Sequence, residues 1–138
     1  MIDYGKYNFQ REKFLIADDD IYSYLFLEKV LKKTGGRVIH ARDGNEALNL
    51  LLDDRSITVA ILDIIMPYIS GMEIILKCKS YLPETVFIAY TADTITYDKE
   101  VCREAGFALC VSKPILPVKF LGLMEETLSL RRQLMEEE

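Results

Sequence analysis

Five short apolar runs punctuate the chain, at residues 14–17, 37–41, 59–62, 86–90 and 108–111, and amphipathic stretches separate them. Unbroken apolar runs of this length suit strands covered on both faces. The stretches between them read as helices. Residues 21–34 stop at Gly35-Gly36, a strong helix terminator. Their apolar stripe is Ser23, Phe26, Leu27, Val30 and Thr34. Residues 44–54 align Ala47, Leu48, Leu51 and Leu52 on one side. Ser70-Gly71-Met72-Glu73 reads as a capping box that opens a helix to about Tyr81. Residues 94–105 form a fourth stretch, ended by Gly106. The last starts at Pro117, a first-turn proline, and carries Phe120, Leu121, Met124 and Leu128 as a core stripe. Strand and helix alternating five times predict an α/β fold: a parallel sheet wrapped by helices. Residues 13–130 make the domain. Residues 1–12, polar and Tyr-rich, are expected to be a loose leader. Residues 131–138 are a helix extension or tail whose acidic end, Glu136-Glu137-Glu138, frays.

Composition narrows the class. The 138 residues fit one domain. A chain of this size folds without disulfide or metal. At 50% hydrophobic it is too apolar to be disordered, and no apolar stretch reaches the roughly 20 residues of a membrane span. The first residues lack the apolar run of a signal peptide. Cys78, Cys102 and Cys110 are odd in number and lack metal-ligand spacing, so a reduced, cytoplasmic setting is expected. A net charge of −5 argues against nucleic-acid binding, and no membrane contact is expected.

Position carries the functional signal. Four of the five runs end in chemically capable residues: Asp18 and Asp19, Asp63, Thr91, and Lys113. The C-terminal ends of parallel strands share one sheet edge, which is where open α/β sheets bind ligands. Three carboxylates, one hydroxyl and one ammonium are therefore expected in one crevice. Carboxylates about 4 Å apart repel by roughly 4 kcal/mol per pair at an effective dielectric of 20. A cation among them relieves this, and hard oxygen donors suit Mg²⁺. Asp63 is then placed to act as a carboxylate nucleophile toward a phosphoryl group. Lys113 and Thr91 would hold the phosphoryl oxygens. Each residue also has an ordinary structural use. Asp20, for example, reads as a helix cap. Joint placement is what distinguishes the set.

These residues resemble the receiver domain of two-component response regulators, including receivers of hybrid histidine kinases. The likeness spans about residues 13–130. It rests on Leu15-Ile16-Ala17-Asp18-Asp19-Asp20, on Leu62-Asp63-Ile64-Ile65-Met66-Pro67 with Gly71 closing the loop, on Thr91-Ala92, and on Lys113-Pro114. The resemblance implies a flavodoxin-like sandwich with strand order 2-1-3-4-5 and five helices. It implies phosphorylation of Asp63, with Mg²⁺ held by Asp19, Asp63 and the Ile65 carbonyl, and by Asp18 partly through water. It implies Thr91 and Lys113 as phosphoryl-binding and switch residues, and a Lys113-Pro114 bond that is usually cis in the family. The donor it implies is a phosphohistidine on a histidine kinase or a histidine phosphotransfer protein. The domain would be a switch that promotes its own phosphorylation and dephosphorylation, not a turnover enzyme. Pairing of two copies into a weak homodimer is common in the family.

One position departs from the family pattern. An aromatic residue usually stands three places before the lysine, and here it is Cys110. A small buried apolar residue is the simple reading, and a redox-sensing thiol the sharper one. His40 is the only histidine, so the phosphate donor lies on another chain or segment. The apolar side chains left over on the first helix suggest that Tyr22 and Leu25 dock the donor. The alternative is packing on the leader or on the loop after the fifth strand. The chain reads as a stand-alone receiver or as one excised from a larger kinase. Two competing functions are weighed. An aspartate-nucleophile phosphatase of the haloacid dehalogenase type fits Asp18 and Asp20 but needs Thr or Val where Tyr22 stands. A phosphorylation-independent binding module on the same fold would not need the intact acidic set.

Overall fold

The structure is a computed structural model and describes residues 2–136. Glu137 and Glu138, part of the end expected to fray, lie outside the described residues. Five strands, β1 (Lys13–Ala17), β2 (Arg37–Ala41), β3 (Val59–Leu62), β4 (Val86–Thr91) and β5 (Leu109–Ser112), form one parallel sheet in the order β2-β1-β3-β4-β5. The helices are α1 (Ile21–Lys32), α2 (Gly44–Asp53), α3 (Gly71–Cys78), α4 (Lys99–Ala105) and α5 (Pro117–Glu136). This is the expected flavodoxin-like arrangement.

Strand alternation sorts the core into two layers. Phe14 and Ile16 of β1, with Ile61 of β3 and Ile88 of β4, meet Leu27 and Leu31 of α1 and Phe120, Leu121, Met124 and Leu128 of α5. Leu15, Ala17, Leu62 and Phe87 point the other way, to α2, α3 and α4 through Leu51, Ile74 and Cys102. Both sheet faces are covered, which is why the strands read as continuous apolar runs.

Several helix ends follow the sequence. Asp20 caps α1, its carboxylate accepting the Tyr22 N–H. The Ser70 hydroxyl accepts the Glu73 N–H and opens α3. Gly106, at φ +110°, ends α4 in the left-handed conformation.

Four expectations need correction. The helix predicted from residue 94 begins only at Lys99. Asp93 instead binds the Thr96 N–H in a turn, and Asp98 takes the cap. The third helix stops at Cys78, short of Tyr81. On α1 the buried residues are Tyr24, Leu27, Val30 and Leu31, while Ser23 and Phe26 are half-buried flanks. The tyrosine turns inward because its ring has a partner, described below. The leader is also docked, not loose. Phe9 is 2% exposed and packs on the Phe14 ring at 5.9 Å, and Tyr7 is buried beside it. The Phe9 N–H donates to the Thr34 carbonyl.

Candidate functional site

The chain runs from β1 outward to β2 and then returns past β1 to β3. The connections leave β1 and β3 in opposite directions and open a crevice at their C-terminal ends. Asp18 follows β1 and Asp63 follows β3, so the topology itself sets the two carboxylates side by side.

Asp18, Asp19 and Asp63 each present one carboxylate oxygen, and the three oxygens lie within 4.8 Å of one another. Asp18 is 1% exposed and Asp63 8%, whereas Asp19 faces solvent. Lys113 reaches in from the end of β5. Its Nζ donates to Asp18 Oδ2 at 2.7 Å and to Asp63 Oδ2 at 3.1 Å. Asp63 Oδ1 accepts the Ile65 N–H at 3.2 Å. Asp18 Oδ1 accepts the Asp20 N–H at 2.9 Å. Thr91, at the end of β4, is buried, and its Oγ1 accepts the Asp93 N–H. Lys113-Pro114 is cis. The structure thus brings Asp18, Asp19, Asp63 and Lys113 together and puts Thr91 on the same edge.

Gly71 allows the loop after β3 to close over the site. Its N–H donates to the Ile64 carbonyl at 2.9 Å, and a Cβ there would lie 2.6 Å from the Asp63 carbonyl oxygen. A side chain would push the α3 entry away from Asp63.

Burial governs the electrostatics. Loss of hydration pushes the Asp63 carboxyl up to about 6, against the pull of Lys113 and with a further rise from the Asp18 charge. For Lys113, burial acts downward, but hydrogen bonding to Asp18 and the charges of both carboxylates outweigh it and the ammonium is held upward. Three carboxylates against one ammonium leave two negative charges, the amount one divalent cation neutralises. All-oxygen donors, one open to solvent, fit a hard cation that keeps several waters. The set therefore fits Mg²⁺, with Asp18, Asp19 and Asp63 as the residues that would hold it.

Two neighbours were not legible as site residues. The His40 ring, on β2, stacks on Tyr24 with centroids 3.6 Å apart, and its Nε2 lies 3.0 Å from the Asp18 carbonyl. Tyr90, buried on β4, lies with its ring centroid 5.2 Å from the Lys113 ammonium. Their only sequence signal is adjacency to the ends of runs. Tyr22 and Leu25 are exposed on α1, Tyr22 at 81%, so they do not pack on the leader or on the loop after β5. Cys110 is half-buried and has a sulfur neighbour in Cys102.

Comparison with known proteins now decides the class. Residues 14–125 match the family model of the response regulator receiver domain. The chain belongs to that family. The receiver is 30% identical over 116 residues to the polar-differentiation response regulator DivK of Brucella anthropi, covering 83% of this chain and 93% of the relative. It is 33% identical over 101 residues to a cyclic di-GMP phosphodiesterase of Thermotoga maritima, covering 73% of this chain but only 27% of that protein. Among solved structures, a CheY-like receiver domain protein from Methanospirillum hungatei superposes with a TM-score of 0.82 at 24% identity, covering 88% of this chain and 97% of that one. The receiver domain of a sensor histidine kinase from Pseudomonas aeruginosa superposes at 0.75 and 21% identity, covering 83% and 95% of the two chains. That kinase receiver carries a magnesium ion coordinated in its active-site cleft. The receiver is thus a signalling domain of the two-component type. Among the described residues, no helix is long and apolar enough to cross a membrane.

Proposed function

We propose that this receiver accepts a phosphoryl group on Asp63 from a phosphohistidine of a histidine kinase or histidine phosphotransfer protein. The observation that carries the reading is the Lys113 ammonium bridging Asp18 and Asp63 inside a three-carboxylate crevice. An Asp63 oxygen attacks phosphorus, an O–P bond forms, and the donor's P–N bond breaks. The departing imidazole nitrogen takes up a proton. Lys113, already in the crevice, shifts toward the incoming phosphoryl oxygens and offsets their charge. The Thr91 hydroxyl donates to another of those oxygens. Asp19, Asp63 and the Ile65 carbonyl, with Asp18 partly through water, would hold Mg²⁺, which would neutralise charge on the transferring group. The same groups then support slow hydrolysis of the acyl phosphate, so the domain is a switch with a limited lifetime.

Tyr22 and Leu25 stand exposed at the start of α1, just after the acidic loop, and supply the apolar surface on which the donor rests. Asp20, which a dehalogenase-type phosphatase would need as its acid, is engaged in capping α1. That favours the receiver reading. Intact mass after incubation with acetyl phosphate and Mg²⁺ tests it. One phosphoryl adduct in the wild type that is absent in Asp63→Asn is expected. An adduct that persists in the variant overturns Asp63 as the acceptor.

A further inference from the structure

The turn between α4 and β5 sets two thiols face to face. The Phe107 N–H donates to the Cys102 carbonyl, and Gly106 in the left-handed region reverses the chain. Cys110 on β5 therefore returns alongside Cys102 on α4, with the sulfurs 3.1 Å apart. That is inside ordinary sulfur contact, and a disulfide needs about 2.0 Å, a closure of roughly 1 Å. Both thiols turn toward one acceptor, the Tyr97 carbonyl, at 3.7 Å from Cys102 and 3.5 Å from Cys110. The two differ in access. Cys102 is 1% exposed. Cys110 is half-buried and lines a groove of about 550 Å³ between α4 and α5.

We infer that Cys102 and Cys110 form a redox pair, converted by hydrogen peroxide to an intramolecular disulfide that clamps α4 to β5. The accessible Cys110 sulfur attacks the peroxide. An S–O bond forms, the O–O bond breaks, and hydroxide leaves as water, giving the sulfenic acid. The Cys102 sulfur then attacks the Cys110 sulfur. An S–S bond forms, the S–O bond breaks, and a second water departs. The two thiols lose two electrons and the peroxide gains them. The difference in burial assigns the roles: the half-buried Cys110 is the attacking group and the wholly buried Cys102, whose thiol burial pushes up, is the resolving one. The inference rests on the packing of α4 against β5 and is independent of whether Asp63 is phosphorylated.

Trypsin separates the pair, because it cuts after Arg103 and, with Lys113-Pro114 resistant, leaves Cys102 in residues 100–103 and Cys110 in residues 104–119. The purified chain is treated with hydrogen peroxide, alkylated and digested without reductant. The expected product is these two peptides joined within one chain, released by dithiothreitol, with the wholly buried Cys78 still alkylatable after denaturation. In Cys102→Ser the sulfenic acid on Cys110 is expected to persist and to be trapped by dimedone. Amide exchange over residues 99–105 is expected to slow in the oxidised wild type. A Cys110 that passes to sulfinic acid while Cys102 stays reduced overturns the pair, as does a bridge found only between chains. Unchanged exchange over α4 in the bridged protein overturns the clamp.

Discussion

Lys113 holds its ammonium 3.1 Å from the Asp63 carboxylate across 50 residues of sequence. The same ammonium lies 2.7 Å from Asp18, and its side chain is only 16% exposed. This half-buried cation, shared by two buried carboxylates, links the ionisation of Asp63 to that of Lys113.

Replacing that cation has a defined consequence. Lys113 pulls the Asp63 carboxyl down, so Lys113→Gln is expected to raise it above about 6. Carbon-13 NMR titration of the aspartate side chains reads this directly, and a midpoint unchanged or lower in the variant contradicts the coupling. Phosphorylation by acetyl phosphate is expected to slow by at least tenfold, on the order of the loss of one charge-stabilising group.

The raised Asp63 carboxyl also makes a prediction about stability. Its ordinary value is 3.8 and the fold lifts it to about 6. The folded state therefore favours the protonated form. The advantage is full below the ordinary value and is lost as pH rises through about 6. In metal-free buffer at pH 7.5, Asp63→Asn is expected to be more stable than wild type, by about 1–3 kcal/mol. The gap should close toward pH 4. Urea melts at both values check it, and a variant less stable at pH 7.5 contradicts it.

Divalent cation should act in the opposite sense. Mg²⁺ is expected to raise the melting temperature of the wild type, since a ligand bound only by the folded state adds stability by mass action. Asp19 is exposed, at the solvent side of the cluster. Asp19→Asn should therefore keep the metal-free melting temperature yet weaken Mg²⁺ binding at least tenfold, measured by calorimetry. Equal affinity in the variant removes Asp19 from the ligand set.

Donor docking separates from chemistry. Tyr22→Ala with Leu25→Ala is expected to slow transfer from a histidine phosphotransfer donor while leaving acetyl phosphate labelling unchanged. Both side chains are exposed, so the melting temperature should stay within about 2 °C. Equal transfer rates remove the docking role.

The leader bears on stability. Phe9 is wholly within the α1/α5 layer of the core. Phe9→Ala is expected to cost about 3–5 kcal/mol, read from the denaturant midpoint. A cost below 1 kcal/mol would mean that the segment is dispensable.

Much of this was legible in the residues alone. A short apolar run reads the same wherever its strand ends up. Residues 59–62 announced β3, and the acid after them announced a sheet-edge group. Capping chemistry is equally local, which is why Asp20, Ser70 and Gly106 mark true ends. Order in the sheet was not in the pattern; it came with the family resemblance. The leader misled because its few apolar residues have no period, and only the hollow beside Phe14 and Thr34 shows where Phe9 goes. Residues 94–98 misled because their β-branched residues and the flanking Asp93 and Asp98 prefer turns and caps to a helix interior.

By itself the sequence determined the elements, their alternation and the five polar residues at strand ends. Those follow from interactions within a few residues, namely periodicity, caps and turns. Tertiary structure decided which of them touch. It placed Lys113 between Asp18 and Asp63, stacked His40 on Tyr24, and brought Cys102 to Cys110. Such contacts depend on how strands far apart in the chain pair and on how one helix packs against one strand. Distances of a few ångströms between side chains are set by that packing and by no local rule.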